Sequence, residues 1–327
     1  MKRTIEILFL LYLILSFITK LNAQDLQFSQ FYSVPMFLSP SFAGSADGQR
    51  IVANYRNQWP EIPHAFETYA LSYDCYFSQL KSGLGLLLTQ DRKGELGIST
   101  TAIDLIYAYD FRIKKSIHAR PGVQFQYSRE GIKMDKMRTR IQVISPGSPA
   151  IDPISRENAG YFDAGVSLMF YNEIFWFGST VNHLMRPNYT FGQNEKMPIR
   201  FNVYSGVKLL SKGTLLKPNN QHLFIALNYR QMVQFSQLDI GLLGHKNFFN
   251  LGLWYRGIPF IKQNSGSDAL IFLIGFAQER YSIGISYDVT ISQLKAYTNG
   301  AVELSVTYLF PEPQPKKKRT MVPCPVF

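Results

Sequence analysis

Read for alternation, the chain divides into short stretches in which apolar and polar residues take turns. The last of them, residues 299–310, sets Val302, Leu304, Val306, Tyr308 and Phe310 on one face of a strand and Glu303, Ser305 and Thr307 on the other. That is the pattern of a transmembrane strand meeting lipid outside and a polar interior inside. The edge of a soluble sandwich can carry it too, so the remainder of the chain has to decide. The same pattern predicts fourteen strands: 49–57, 64–75, 82–90, 96–112, 117–129, 160–171, 174–184, 199–211, 221–231, 235–245, 248–256, 268–278, 281–291 and 299–310. In one, Leu223, Ile225, Leu227 and Tyr229 oppose Asn228 and Arg230; in another, Tyr281, Ile283, Ile285, Tyr287 and Val289 oppose Ser282, Gly284, Ser286 and Asp288. An even count brings both ends of a barrel to one side of the membrane.

Connection lengths separate barrel from sandwich. After odd-numbered strands they run from roughly 3 to 30 residues, and after even-numbered ones from roughly 2 to 9. Long connections on one side and short ones on the other follow the rule of outer-membrane barrels. The expected fold is all-β, a 14-stranded antiparallel transmembrane outer-membrane barrel spanning residues 49–310, with both termini periplasmic and its outer face against lipid. The longest connection, 130–159, carries Lys133, Lys136, Arg138, Arg140 and Arg156. It reads either as a surface loop or as a docking surface for an exported partner. Charged inward positions are Glu67, Asp104, Asp163, Lys208, Arg230, Asp239, Arg256, Asp288 and Glu303. Their mixed signs suit solvation or ion pairing across the lumen and argue against an ion-selective pore.

Composition agrees. The chain is 46% hydrophobic and 14% aromatic, with mean hydropathy −0.07, which excludes a bundle of membrane helices and suits aromatic girdles. Residues 1–23 begin with Lys2 and Arg3, continue through an apolar stretch at 7–18 and end on Ala23, as a signal peptide does. The mature segment 24–48 is broken by Pro35 and Pro40, yet carries Phe28, Phe31, Tyr32, Met36, Phe37, Leu38 and Phe42. It is expected to pack inside the lumen or under its periplasmic mouth. The net charge of +11 is scattered apart from the tail, where Lys316, Lys317, Lys318 and Arg319 follow three prolines. No nucleic-acid motif accompanies it, so nucleic acid is not an expected partner. The tail, 311–327, reads as a solvated periplasmic extension or as a contact with machinery or anionic lipid.

Cys75 and Cys324 form neither a metal-ligand pattern nor a disulfide framework. They are two unrelated thiols, or a bridge pinning the tail, which an exported compartment would permit. The five histidines are dispersed outside any zinc-protease motif, and no nucleophile elbow is present. Ser179 and His183 share a strand face, but Asn182 does not. Gly83 and Gly85 lie in a strand rather than opening a helix, so they make no phosphate loop. No catalytic group, metal or cofactor is expected.

The run Gln24-Asp25-Leu26-Gln27-Phe28-Ser29-Gln30-Phe31, then Pro35, Ser39-Pro40 and Ala43-Gly44, resembles the PorP/SprF family of Bacteroidetes outer-membrane proteins. The likeness continues at Tyr55-Arg56-Asn57-Gln58-Trp59, at Ser286-Tyr287-Asp288, and at Cys324-Pro325 and Phe327; Val326 stands where a basic residue is expected. The resemblance implies a non-enzymatic part of the type IX secretion system. Its role would be to export, or anchor at the surface, proteins such as gliding adhesins through their C-terminal signal domains; some relatives attach to the periplasmic ring of the machinery. On that expectation Arg56, Asn57, Gln58 and Trp59, with Lys133, Lys136, Arg138 and Arg140, grip the exported domain. Gln27, Phe28 and Phe31, with the basic tail, face the periplasmic side. The mundane alternative makes Trp59 a girdle aromatic and Arg56 a lumen ion-pair member. The competing function is a channel for small hydrophobic solutes, plugged by the N-terminal segment.

Overall fold

The computed structural model describes residues 26–46, 48–62, 65–94, 97–114, 116–132, 158–188, 196–214, 217–233, 235–258, 269–291, 299–311 and 322–323. The strands are β1 (Arg50–Gln58), β2 (Phe66–Phe77), β3 (Ser82–Lys93), β4 (Ile98–Tyr109), β5 (Phe111–Arg112), β6 (His118–Gly131), β7 (Asn158–Tyr171) and β8 (Phe175–Asn182). They continue as β9 (Arg200–Thr214), β10 (Lys217–Met232), β11 (Phe235–Lys246), β12 (Phe249–Arg256), β13 (Ala269–Ala277), β14 (Tyr281–Thr290) and β15 (Ala301–Leu309). Every pairing is antiparallel, and all join chain neighbours except β4 with β6, which passes over the two-residue β5, and β15 with β1. The sheet closes where β15 returns to β1, in register from Arg50↔Leu309 to Gln58↔Ala301. The result is a closed 14-stranded antiparallel barrel, as the alternation predicts.

All fourteen predicted strands are present. One expected strand, 96–112, is interrupted at Asp110. The Asp110 backbone N–H donates to the Lys81 carbonyl at 2.8 Å, and its carboxylate turns inward to His118 Nδ1 at 2.9 Å and the Tyr171 hydroxyl at 2.7 Å. The backbone bond carries the β3–β4 pairing one position further, and the carboxylate contacts fix Asp110 at the interruption.

Short connections gather at one end of the barrel, called here the turn end, where β1 begins and β15 finishes. At the other, the loop end, β6 ends at Gly131 and β7 begins at Asn158, β8 ends at Asn182 and β9 begins at Arg200, and β12 ends at Arg256 and β13 begins at Ala269. The face assignments hold through β14 and β15, where Glu303, Ser305 and Thr307 are buried inside and Val302, Leu304, Val306 and Tyr308 are exposed outside. Glu67 departs from expectation. Its neighbours Thr68, Ala70, Ser72 and Asp74 are the buried inward set of β2, fixed by the Thr68–Asp91 hydrogen bond at 2.7 Å. Glu67 therefore lies on the outer face beside Tyr69, whose hydroxyl donates to it at 3.4 Å.

The inner wall is less polar than a water-filled lumen requires. Leu87, Ile106, Met169, Trp176, Tyr204, Phe224, Leu243, Trp254 and Ile271 all point inward and are buried. Burying such a side chain is worth about 1.5–3 kcal/mol each, so an empty bore would be costly. The N-terminal segment covers them. It runs as a 3-10 turn (Phe31–Ser33), one helical turn (Pro35–Leu38) and a second 3-10 turn (Pro40–Phe42). Pro35 and Pro40 each stand at a first helical position, where a missing N–H costs nothing. From Phe28 to Ala46 every residue but Phe37 is buried. Phe31 meets the Trp254 ring edge-on at 5.0 Å, Tyr32 stacks on it at 5.1 Å, and Phe42 packs on Tyr204 at 5.5 Å.

Candidate functional site: a plugged bore with a cavity at the loop end

The plug is held at both ends of the bore. At the turn end two wall glycines admit its backbone: a Cβ on Gly83 would lie 1.9 Å from the Ala43 carbonyl oxygen, and one on Gly122 would lie 2.5 Å from the Ser41 nitrogen. Ser41 Oγ donates to the Arg120 carbonyl at 2.7 Å, and Arg120 in turn donates from its guanidinium to the Ala43 carbonyl. Gly44 N–H donates at 2.8 Å to Asp74, which is paired in two contacts, at 2.8 and 3.0 Å, with Arg50.

Nearer the loop end the grip is ionic. Arg256 contacts Asp239 at 3.0 Å and Asp288 at 3.0 Å, and Arg56 contacts Asp288 at 3.1 Å and Glu303 at 3.3 Å. All five side chains are buried. Ser29 sits in the middle, its hydroxyl donating to Asp288 at 2.5 Å and accepting from Arg256 at 3.1 Å and from Arg56. The backbone N–H groups of Ser29 and Gln30 donate to the two Glu303 oxygens at 2.7 and 3.1 Å. Gln30 adds Ser286 at 3.0 Å and Ser305 at 2.8 Å. Every carboxylate on this wall has an arginine, and the plug supplies the remaining donors.

The opposite wall, formed by β3, β4, β6 and β7, leaves a cavity of about 240 Å³ between itself and the plug residues Leu26 and Phe37. Its acids stand in two rows. Strand register sets Asp91, Thr100 and Glu130 side by side, and one level deeper Asp104, Gln126 and Asp163. Four residues of β4 separate the rows, ~13 Å along the strand. Asp91 is paired with Lys93 at 3.1 Å, and Asp163 contacts His183 Nδ1 at 2.5 Å. Arg200 also lines the cavity, its guanidinium carbon 5.3 Å from the ring centre of the plug residue Phe37.

The sequence profile described as "Type IX secretion system membrane protein PorP/SprF" matches residues 20–308. The chain belongs to the PorP/SprF family. No curated protein matches it. Among solved structures, the CymD monoaromatic hydrocarbon channel superposes with a TM-score of 0.49 at 8% identity, covering 86% of this chain and 93% of that one. The TodX deltaS2S3 mutant monoaromatic hydrocarbon channel gives 0.45 at 8% identity, covering 83% and 92%. The Acinetobacter baumannii outer membrane protein Omp33 gives 0.41 at 7% identity, covering 82% and 100%.

In this PorP/SprF barrel the residues singled out from the sequence have varied fates. Arg56 is 4% exposed and belongs to the lumen ion cluster. Gln58 accepts from Arg56 at 3.5 Å, and Asn57 alternates onto the outer side. Trp59 lies at the loop-end rim, edge-on to Phe66 at 5.1 Å, as a girdle aromatic would. Phe28 and Phe31 are 1% and 6% exposed inside the bore, and Gln27 is half-buried beside them. Lys133, Lys136, Arg138, Arg140, Lys316, Lys317, Lys318, Arg319 and Cys324 lie outside the described residues. Cys75 shares the outer face of β2 with Leu71, Tyr73 and Phe77. Val322 belongs to the buried aromatic cluster of the bore, so at this point the tail is docked inside the barrel. The expectation of a purely solvated extension misses that contact.

The ion cluster was half visible in the sequence, since alternation puts Asp239, Arg256, Asp288 and Glu303 inward. Ser29 and Gln30 carried no signal of their own. Their role depends on the plug crossing the bore to residues more than 250 positions away.

Proposed function

We propose that this chain is a non-enzymatic outer-membrane component of the type IX secretion system. In this reading it helps export or anchor secreted surface proteins, such as gliding adhesins, through their C-terminal domains. Family membership supports the secretion role. The filled bore carries the finer reading: with residues 28–46 packed through the lumen, a folded cargo domain is served by the ends of the barrel rather than by its interior. The segregation of long and short connections supports an outward loop end and periplasmic termini. The loop-end connections, including residues 133–157, then face the exported domain, and the turn end with the tail faces the machinery.

Affinity purification of the tagged barrel from its native membrane, followed by mass spectrometry, tests this. The expected result is an exported protein with a C-terminal signal domain, or a component of the secretion machinery, with cargo lost when 133–157 is deleted. Purified barrel that retains neither, and that passes small hydrophobic solutes in a reconstituted uptake assay, would overturn it.

A further inference from the structure

The loop-end cavity stands out because its charges are not balanced as those elsewhere in the bore are. Asp74, Asp110, Asp239, Asp288 and Glu303 are each in contact with at least one arginine. Asp104 is 1% exposed, lines the cavity, and has a hydrogen bond from Gln124 Nε2 at 2.9 Å but no basic side chain in ion-pair contact among the described residues. Glu130, one row nearer the loop end, likewise has no basic partner in contact among the described residues, and its buried Oε2 has no hydrogen-bond partner among them. An uncompensated carboxylate in a low-dielectric wall is expensive. Arg200 and Lys93 line the same cavity, but among the described residues neither is in ion-pair contact with Asp104 or Glu130.

The rest of the lining narrows what would meet it. Leu26, Phe37, Ile98, Met197 and Met232 give the cavity apolar sides, and Met is an adaptable packing surface. The two uncompensated acids lie on different rows, ~13 Å apart along the strand direction. No group of three or more potential metal ligands converges among the described residues. Separated carboxylates flanked by apolar walls suit an extended organic cation better than a compact metal ion. We infer that the cavity is a binding site for an ammonium or guanidinium group on an aliphatic stem, with the cation at Asp104 and the stem along Leu26, Phe37 and the methionines. Glu130 draws the group inward from the loop end. The assignment goes beyond the export or anchoring role, and holds whether the cation belongs to a free amine or to a lysine or arginine of a docked segment.

Calorimetric titration of the full-length barrel in detergent tests it with two probe pairs. One pair is cadaverine and its neutral counterpart 1-pentanol. The other is acetyl-Gly-Lys-Gly-amide and the same peptide with norleucine in place of lysine. At least one cationic probe is expected to bind, at least tenfold more tightly than its neutral counterpart. That preference should weaken about tenfold in Asp104→Asn, which preserves shape and the acceptor for Gln124, and less in Glu130→Gln. Binding of cadaverine alone identifies a free-amine site; binding of the lysine peptide identifies a site for a docked segment. Heat-modifiable gel migration verifies that each variant is a closed barrel. Equal binding of charged and neutral probes, no binding of either cation, or an unchanged preference in both folded variants would overturn the inference. Because the readout needs no secretion partner, its failure is distinct from a failure of the proposed function.

Discussion

On the wall built by β12, β14, β15 and β1, the carboxylates of Asp288 and Glu303 meet Arg56, Arg256 and the plug's Ser29 and Gln30. On the wall built by β3, β4, β6 and β7, Asp104 and Glu130 face a cavity that Lys93 and Arg200 also line, with neither in ion-pair contact with them among the described residues. Both walls come from strands with the same alternation and lie in the loop-end half of one bore. The first has its charges consumed by intramolecular pairing and acts as a clasp on the plug. The second keeps charge in reserve. A buried acid in an ion pair costs less than one held by neutral donors alone.

The largest effect should come from unbalancing the clasp. Arg56→Ala leaves Glu303 without its arginine and Asp288 with one instead of two, and is expected to cost about 3–5 kcal/mol, read as a lower urea midpoint in detergent. Full retention of stability would mean that the ion cluster is not what holds this wall together. Ser29→Ala leaves the arginines in place and removes only the plug's hydroxyl. The expected loss is about 1.5–3 kcal/mol, with earlier proteolytic cutting within 26–46 than in the parent protein. If cutting were unchanged, the plug would be held by its aromatic contacts and its turn-end anchors instead. Asp104→Asn should have the smallest effect, within about 1 kcal/mol of the parent or above it, because no cation is left stranded. A loss as large as that of Arg56→Ala would erase the contrast between the walls.

Much of the fold was legible because its determinants are local. A period of two is imposed by backbone pleat, so Val302, Leu304, Val306 and Tyr308 announce an outer face without reference to anything distant. Asp110 and Glu67 show the limit. One strand is interrupted where a buried carboxylate finds His118 and Tyr171, and one glutamate faces outward because Thr68 pairs with Asp91. Tyr171 and Asp91 lie 61 and 23 positions from the residues they hold, and His118 lies on β6. The inward aromatics Trp176, Tyr204 and Trp254 also broke the expectation of a polar lumen, and they were the available hint that something apolar must fill it.

By itself the sequence determined the strand count, the parity of faces, the sidedness of the connections and the family. Only closure of the barrel decided which inward charges are matched, since it sets Arg56 beside Glu303 across 247 positions of chain. It also decided that the N-terminal segment lies in the bore, with Ser29 among the arginines and Leu26 at the edge of an acidic cavity. Pairing across a lumen is a property of the closed cylinder. No period along the chain encodes it.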